Sequence, residues 1–216
     1  MKKKVFLAAA LIALMAVGAF AQQYNSESDF QVTKAGNAIT ITGFVGTGTV
    51  VSIPPQIQNL PVTAIGDRAF YGKTGIESVT IPNGVTSIGA SSFGRTNIVS
   101  VTIPDTVNSI GNQAFVNCKN LFRVTIPDSV TTIQSAAFNQ CSELSQVTIG
   151  SGVTYIGVNA FANCTNLVIV EFKNAVPTSP GAFNSNAFPG DLREKSLAGG
   201  VGEYTRQNNS TTWTKQ

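Results

Sequence analysis

A motif represented by SVTIPDTVNSIGNQAFVNC at residues 100–118 recurs along the chain at steps of 22 or 23 residues. The clearest copies begin near Glu77, Val99, Phe122 and Ser145. Every copy has apolar residues at the same positions, and a single copy is too short to bury them alone. Stacked copies bury them against one another, which is the principle of a solenoid. The fold class therefore follows from the period rather than from local propensity.

Each copy reads as three short pieces. The V-T-I triplet alternates with period two, which predicts a strand with Val79 and Ile81 inward and Ser78 and Thr80 outward. Three triplets are followed by proline, which limits the strand to a few residues. The V-T-x-I-G stretch predicts a second extended piece, and its glycine suits a turn with unusual dihedral angles. The A-F-x-x-C stretch predicts one or two helical turns.

One phenylalanine recurs at the same position of every copy. Identical spacing favours an interior stack over an aromatic cofactor site. The predicted stack contains Phe70, Phe93, Phe115, Phe138 and Phe161.

The repeated IPxxVTxIGxxAFxxCxxL pattern resembles the bacterial leucine-rich repeats called BspA-like or Treponema-type repeats. The resemblance covers roughly residues 50–172, and the flanking FQVTKAGNAITITGF and YTRQNNSTTWTKQ segments are similar too. It implies a leucine-rich repeat solenoid of the β-rich α/β type, a curved right-handed stack with a parallel sheet and a cap at each end. It also implies export or surface exposure, and often a link to adhesion.

Four segments are expected: a signal peptide at 1–21, an N-terminal cap at 22–49, about five repeats at 50–173 and a C-terminal cap at 174–216. Three lysines, an apolar run and Ala19-Phe20-Ala21 are typical of a secretory signal. A membrane anchor is the alternative, but the apolar run is at the lower limit of the roughly 20 residues of a span. We therefore expect an exported protein, periplasmic, secreted or on the cell surface, with no transmembrane segment in the mature chain.

Both caps contain recognisable pieces. The AITITGF segment predicts an edge strand, and the inserted PQIQNLP predicts a surface loop. After Phe172 the period fails, because Phe183 arrives one residue early for the phenylalanine row. Residues 192–198 predict a short helix, and Tyr204 and Trp213 are expected to cover the last layer.

The balanced charge of the mature chain argues against nucleic acids and anionic membranes as partners. The chain has 14 basic and 11 acidic residues. Cleavage would remove three lysines and no acidic residue, leaving 11 of each sign. Without a basic surplus there is no electrostatic basis for nucleic-acid binding or for a polybasic membrane contact.

The sequence offers little for catalysis or metal binding. It has no histidine, and its carboxylates lie at turns rather than in a convergent pair. Cys118, Cys141 and Cys164 share one repeat position, so they form a row rather than a tetrahedral metal site. We expect buried free thiols, with a disulfide between neighbouring layers as the alternative. No catalytic residue, metal site or cofactor is predicted.

The outward face of the V-T-I strands is the predicted binding surface, since curved solenoids commonly bind partners on such faces. A soluble strand surface without a partner is the alternative for its threonines. The predicted binding residues are Thr80, Thr102, Phe122, Arg123, Thr125, Gln146, Thr148 and Tyr155. Tyr71 is a further anchor candidate, with packing against the solenoid as the alternative. The predicted function is an exported, non-enzymatic module for protein or glycan binding, and the alternative is a structural or self-assembling envelope protein.

Overall fold

The computed structural model describes residues 23–175, 181–184, 186–208 and 210–216, so the predicted signal peptide lies outside the described residues. The strands are β1 (Phe30–Ala35), β2 (Ala38–Phe44), β3 (Val50–Ser52), β4 (Gln56–Ile57), β5 (Leu60–Ile65), β6 (Ser78–Thr80), β7 (Ser87–Ile88), β8 (Ser100–Thr102), β9 (Ser109–Ile110), β10 (Arg123–Ile126), β11 (Thr132–Ile133), β12 (Gln146–Ile149), β13 (Tyr155–Ile156), β14 (Ile169–Phe172), β15 (Gly202–Thr205) and β16 (Thr214–Lys215). A 3-10 turn lies at Glu27–Asp29, and helix α1 (Leu192–Gly199) precedes β15.

The described chain winds into six layers, which begin at residues 50, 77, 99, 122, 145 and 168. The V-T-I strands β3, β6, β8, β10, β12 and β14 line one side, here called the VTI face. The second strands β5, β7, β9, β11 and β13 join the N-terminal strands β1 and β2 in an eight-stranded sheet, in the order β1-β2-β5-β7-β9-β11-β13 with β4 on β5. Except for β8 and β10, strands of successive layers pair in parallel and in register, as in Val124 with Val147. The predicted leucine-rich repeat solenoid is confirmed.

The third side of each layer, here called the turn face, is made of turns instead of the predicted helical turns. In layer 3 the Val116 N–H donates within its own turn to Gln113 O at 3.0 Å. The Phe115 and Asn117 N–H groups donate instead to the next layer, to Ala137 O and Asn139 O, both at 2.7 Å. Gln113 and Asn117 have φ of 57° and 58°, outside the helical region. Alternate N–H groups therefore hold layers together, and a helix would use them internally.

The phenylalanine stack is confirmed and forms the centre of the core. Successive ring centroids from Phe70 to Phe161 lie 4.9 to 5.1 Å apart, with interplanar angles of 11° or less. Phe44 extends the stack at one end, 5.5 Å from Phe70, and Phe188 extends it at the other, 4.6 Å from Phe161. The stack therefore runs through all six layers and into the N-terminal cap.

The glycines that recur after the second strands have a different role from the one predicted. Gly66, Gly89, Gly111 and Gly157 do not have positive φ values. A Cβ at Gly111 would lie only 2.8 Å from the backbone carbon of Gly89, and one at Gly157 would lie 2.5 Å from Ser135 N. These glycines allow close approach of adjacent layers, whereas turn-face residues such as Gln113 and Asn117 do have positive φ.

The N-terminal residues cover the first layer. Strands β1 and β2 form an antiparallel hairpin, and β2 pairs with β5, so AITITGF is a strand inside the sheet rather than at its edge. The inserted PQIQNLP is also more ordered than predicted. Its residues enter the β4–β5 hairpin, and Ile57 is only 2% exposed. An apolar residue in the insertion is therefore part of the core.

The C-terminal region contains a sixth layer with an insertion. Phe183 forms a parallel bridge with Ile156 and so replaces the isoleucine of the second strand. Phe188 follows five residues later, the spacing of Ile156 and Phe161, and it takes the phenylalanine position. Phe183 arrives early for the phenylalanine row because it occupies the isoleucine position, and the period resumes at Phe188. The predicted helix is present as α1, and Tyr204 and Trp213 are buried, at 0% and 1% exposed.

Candidate binding groove on the VTI face

The VTI face displays two rows of side chains to solvent. In one row, Thr80 lies opposite Thr102, and Thr125 lies opposite Thr148. In the other, Arg123 lies opposite Gln146. Between these two sets the described strands β8 and β10 belong to different sheets and do not pair. The VTI face is therefore interrupted between layers 3 and 4.

The interruption begins just after the hydrogen bond that joins the starts of those two layers, from Phe122 N to Val99 O at 3.2 Å. Beyond it, Val101 is partly exposed, whereas Val79 and Val124 at the same repeat position are 1% exposed. The shortest repeat is layer 2, but its strand β6 pairs in register with β8 of layer 3, so the break lies one layer further along. Five residues lead from Phe93 to the apolar residue that closes layer 2, where layers 1, 3, 4 and 5 have six.

A groove of about 540 Å³ occupies the interruption. It is lined by Thr102, Arg123 and Thr125, three of the predicted binding residues. Asp105, Asp128 and Lys173 also line it, and they are not among the predicted binding residues. The signal available in the sequence is their shared place just after the V-T-I strand.

The charged groups of the groove come from different layers. Lys173 Nζ in layer 6 lies 3.8 Å from Asp128 Oδ1 in layer 4. Layer 5 has Gly150 between them, where a Cβ would lie 2.3 Å from Pro127 O. The Ser151 N–H donates to Asp128 Oδ1 at 2.8 Å, and this bond is the main reason that the pKa of Asp128 is lowered, with Lys173 acting in the same direction. Asp128 therefore stays ionised at neutral pH.

Two exposed apolar side chains lie next to the groove. Val99 is 48% exposed and Phe122 is 53% exposed, and their backbones are hydrogen-bonded to each other. Both immediately precede the strands that line the groove. Aromatic and arginine side chains are the usual sources of binding energy in protein interfaces, and Phe122 and Arg123, two of the predicted binding residues, lie beside this concave surface.

The other predicted binding residues are less central. Thr80 lines a neighbouring depression of about 400 Å³ that also includes Thr102. Gln146 and Thr148 are half-buried, and Thr148 Oγ1 donates to Glu171 Oε2 at 3.2 Å. Tyr155 lies in β13 of the eight-stranded sheet, so its inclusion with the VTI face was wrong. Its repeat position, just before the isoleucine of the second strand, already contained that information.

The cysteines form a buried row of free thiols. Cys118, Cys141 and Cys164 donate through Sγ to the Phe93, Phe115 and Phe138 carbonyls at 3.1 to 3.2 Å. Burial raises the pKa of Cys118 and of Cys141 well above the ordinary value of 9.0, which keeps these two thiols protonated. Among the described residues, no group of three His, Cys, Asp or Glu side chains could hold a metal ion. Nor does any helix in this part of the chain have the length and apolar character of a membrane span.

A family model and a solved structure both identify the repeats of this chain as bacterial leucine-rich repeats. The family model described as "BspA type Leucine rich repeat region" matches residues 63–190, more than half of the chain, in six copies. A leucine-rich repeat protein of T. pallidum has a similar structure, with a TM-score of 0.66 and 30% sequence identity over 68% of this chain and 70% of that one. No curated protein matches the chain.

More distant structures share the fold alone. The pneumococcal vaccine antigen PcpA has a TM-score of 0.56 and 14% identity, over 81% of this chain and 46% of that one. A leucine-rich repeat protein from Bacteroides ovatus has a TM-score of 0.51 and 23% identity, over 68% of this chain and 47% of that one. The match therefore spans less than half the length of each of these two proteins.

Proposed function

Because this chain belongs to the BspA-type leucine-rich repeat family, we propose that it is an exported, non-enzymatic binding module that recognises a protein partner through the VTI face. The observation that carries the proposal is the groove at the interruption between β8 and β10. The N-terminal sequence, with its lysines, apolar run and small-residue cleavage pattern, supports export. Adhesion outside the cytoplasm is the corresponding role.

The chemistry of the groove favours a protein over a neutral glycan. Phe122 and Val99 offer apolar area at one margin, and Arg123 adds a guanidinium beside them. Asp105, Asp128 and Lys173 supply charges of both signs. Protein interfaces combine apolar and aromatic area with polar and charged groups, as this groove and its margin do. Ser and Thr in the surrounding rows add hydrogen bonds at little cost in side-chain entropy.

Self-assembly through strand edges has less support. At the N-terminal edge of the VTI face, Asn25 N donates to Ser52 O at 2.9 Å, and Ser52 N donates to Asn25 Oδ1 at 2.8 Å. The C-terminal edge ends in β16, which is two residues long and includes Lys215. Blocked, short or charged edges disfavour the addition of further strands. These features favour a module that binds through its face.

The test uses the mature chain, residues 22–216, as bait for extracellular proteins, followed by measurement of the affinity of the captured partner. Phe122→Ala combined with Arg123→Ala should weaken binding by about 30-fold or more, since loss of an interface anchor costs about 2 kcal/mol or more. Tyr155→Ala is the matched control, because it removes an aromatic side chain from the other sheet. Protease treatment of intact producing cells should also degrade the protein.

Three results would contradict the proposal. An equal loss of affinity in Tyr155→Ala would place the contact elsewhere. If protease degraded the protein only after the outer envelope had been opened, the protein would not be exposed on the cell surface and a role in adhesion would be excluded. Concentration-dependent association of the purified chain, abolished by the Phe122 and Arg123 substitutions, would favour self-assembly instead.

A further inference from the structure

The turn face has a second concave site, separate from the VTI face, built around Tyr71. The guanidinium carbon of Arg68 lies 4.5 Å from the centre of the Tyr71 ring, and that of Arg95 lies 5.8 Å from it. The ring packs over Gly94, where a Cβ would lie 3.0 Å from Tyr71 Cδ2. Tyr71 thus holds two arginines from neighbouring layers around a single aromatic ring.

These side chains line a groove of about 290 Å³ together with Gln113, Asn117 and Gln140. Its charged residues are Arg68 and Arg95, and no carboxylate lines it. Within the described residues, neither guanidinium takes part in an ion pair or a side-chain hydrogen bond. Both arginines are exposed, so their N–H groups are available to a ligand.

The local backbone gives no reason for arginine at these positions. Arg68 and Arg95 have φ of 57° and 58°, in the left-handed region that favours glycine and asparagine. At the equivalent positions the other layers have uncharged residues: Ser91, Gln113, Ala136 and Asn159 for Arg68, and Gly72, Asn117, Gln140 and Asn163 for Arg95. The two arginines therefore differ from their rows in charge and not in backbone conformation.

We propose that this groove binds an acidic oligosaccharide, with Arg68 and Arg95 holding a carboxylate or sulfate group. A planar guanidinium binds such groups through paired hydrogen bonds, and stacking on Tyr71 fixes its orientation beforehand. The neighbouring amides supply donors and acceptors for sugar hydroxyl groups. They recur once per layer, and the layers are 5.0 Å apart at the phenylalanine stack, close to the length of one pyranose unit in an extended chain.

An acidic sugar fits the lining better than an acidic peptide does. A peptide would need apolar contacts for its side chains, and Val116 is the one aliphatic side chain among the residues that line the groove. The rest of the lining is amide, hydroxyl, guanidinium and a phenol. This inference concerns a different face from the proposed protein site and does not depend on it.

The experiment measures binding of four probes to the mature chain by calorimetry: a heparin-derived hexasaccharide, hexagalacturonate, neutral cellohexaose and hexaglutamate. The test variants are Arg68→Asn and Arg95→Asn, which introduce the residue type that Asn159 and Asn117 have at the same positions. Their backbones should therefore be unaffected. Arg123→Ala is the control, since it removes one guanidinium from the VTI face.

At least one anionic sugar should bind, and cellohexaose should not. Each arginine substitution should weaken binding by about tenfold or more, the usual effect of losing a charge-assisted hydrogen bond. Arg123→Ala should leave the affinity unchanged. Binding of the sulfated sugar alone would identify sulfate as the anion, and binding of both sugars would identify the carboxylate as sufficient.

Three outcomes would overturn the inference. Equal or tighter binding of hexaglutamate would assign the groove to acidic peptides. An equal loss in Arg123→Ala would show attraction by overall charge. If neither anionic sugar bound, although the wild type and the variants had the same Tm and were therefore folded, the groove would not be a binding site for acidic sugars.

Discussion

Replacement of Phe138 by alanine tests the central stack. The ring is 0% exposed and lies 5.0 Å from both Phe115 and Phe161, at interplanar angles of 4° and 2°. Emptying an aromatic core site costs about 3–5 kcal/mol, and the two stacked contacts, each about 0.5–1.5 kcal/mol beyond burial, place Phe138 in the upper part of that range. We expect a loss of about 4–5 kcal/mol in the free energy of unfolding.

The neighbouring layers cannot close the cavity. The Phe138 N–H donates to Ala160 O at 2.7 Å, and the equivalent bond from Phe115 reaches Ala137 O at 2.7 Å, so the layer spacing is fixed by the backbone. The stability change should therefore include the full cavity term. For a chain of this length it corresponds to a fall in Tm of about 10–15 °C.

Thermal and urea unfolding, followed by circular dichroism, would measure this change. Phe122→Ala is the matched control because it removes the same ring from a site that is 53% exposed, and its stability should change by no more than about 0.5 kcal/mol. A fall in Tm below about 2 °C for Phe138→Ala, or equal falls for the two variants, would refute the stacking argument.

Two further predictions concern the layers. Gly111→Ala should reduce the free energy of unfolding by about 1–3 kcal/mol, because its Cβ would meet backbone of the preceding layer at 2.8 Å. Gly75→Ala is the control, because its Cβ meets nothing within 4 Å and the free energy of unfolding should change little. Urea unfolding of the two variants measures the difference, and equal losses of stability would contradict the close-approach explanation for Gly111. Alkaline pH should destabilise the fold, because burial raises the pKa of Cys118 and Cys141 in the folded state. Their contribution is complete below the unfolded pKa near 9.0 and is lost as pH rises through the folded pKa. Cys141→Thr, the residue type that Thr96 has at this position, should flatten the decline of Tm with pH, and an unchanged decline would contradict this account.

Several features were predictable because they depend on position within a single repeat. The inward direction of Val79 and Ile81, the phenylalanine stack and the cysteine row all follow from a period that returns each residue to the same place. Other predictions from the same pattern were wrong where the neighbouring layer decides the outcome. The A-F-x-x-C stretch forms turns because its N–H groups donate across layers, and Gly111 is small because Gly89 lies against it.

The candidate sites were only partly predictable. Arg123 and Thr125 lie on the VTI face, as the period-two pattern predicts, but nothing in that pattern indicates that β8 and β10 separate and form a groove. The shorter second repeat is visible in the sequence, but β6 of that layer pairs in register with β8, so it does not mark the position of the break. The arginines around Tyr71 were missed because they come from two different layers.

The sequence by itself determined the solenoid, its interior and the outward rows of its strands, because repeats that cannot bury their apolar residues alone bury them by stacking on one another. Only the tertiary structure decided where that regularity fails. An insertion in layer 6 still returns Phe188 to the stack, and Lys173 reaches across a glycine to Asp128. These arrangements depend on contacts between layers that are distant along the chain, and a period read along a single chain does not contain those distances.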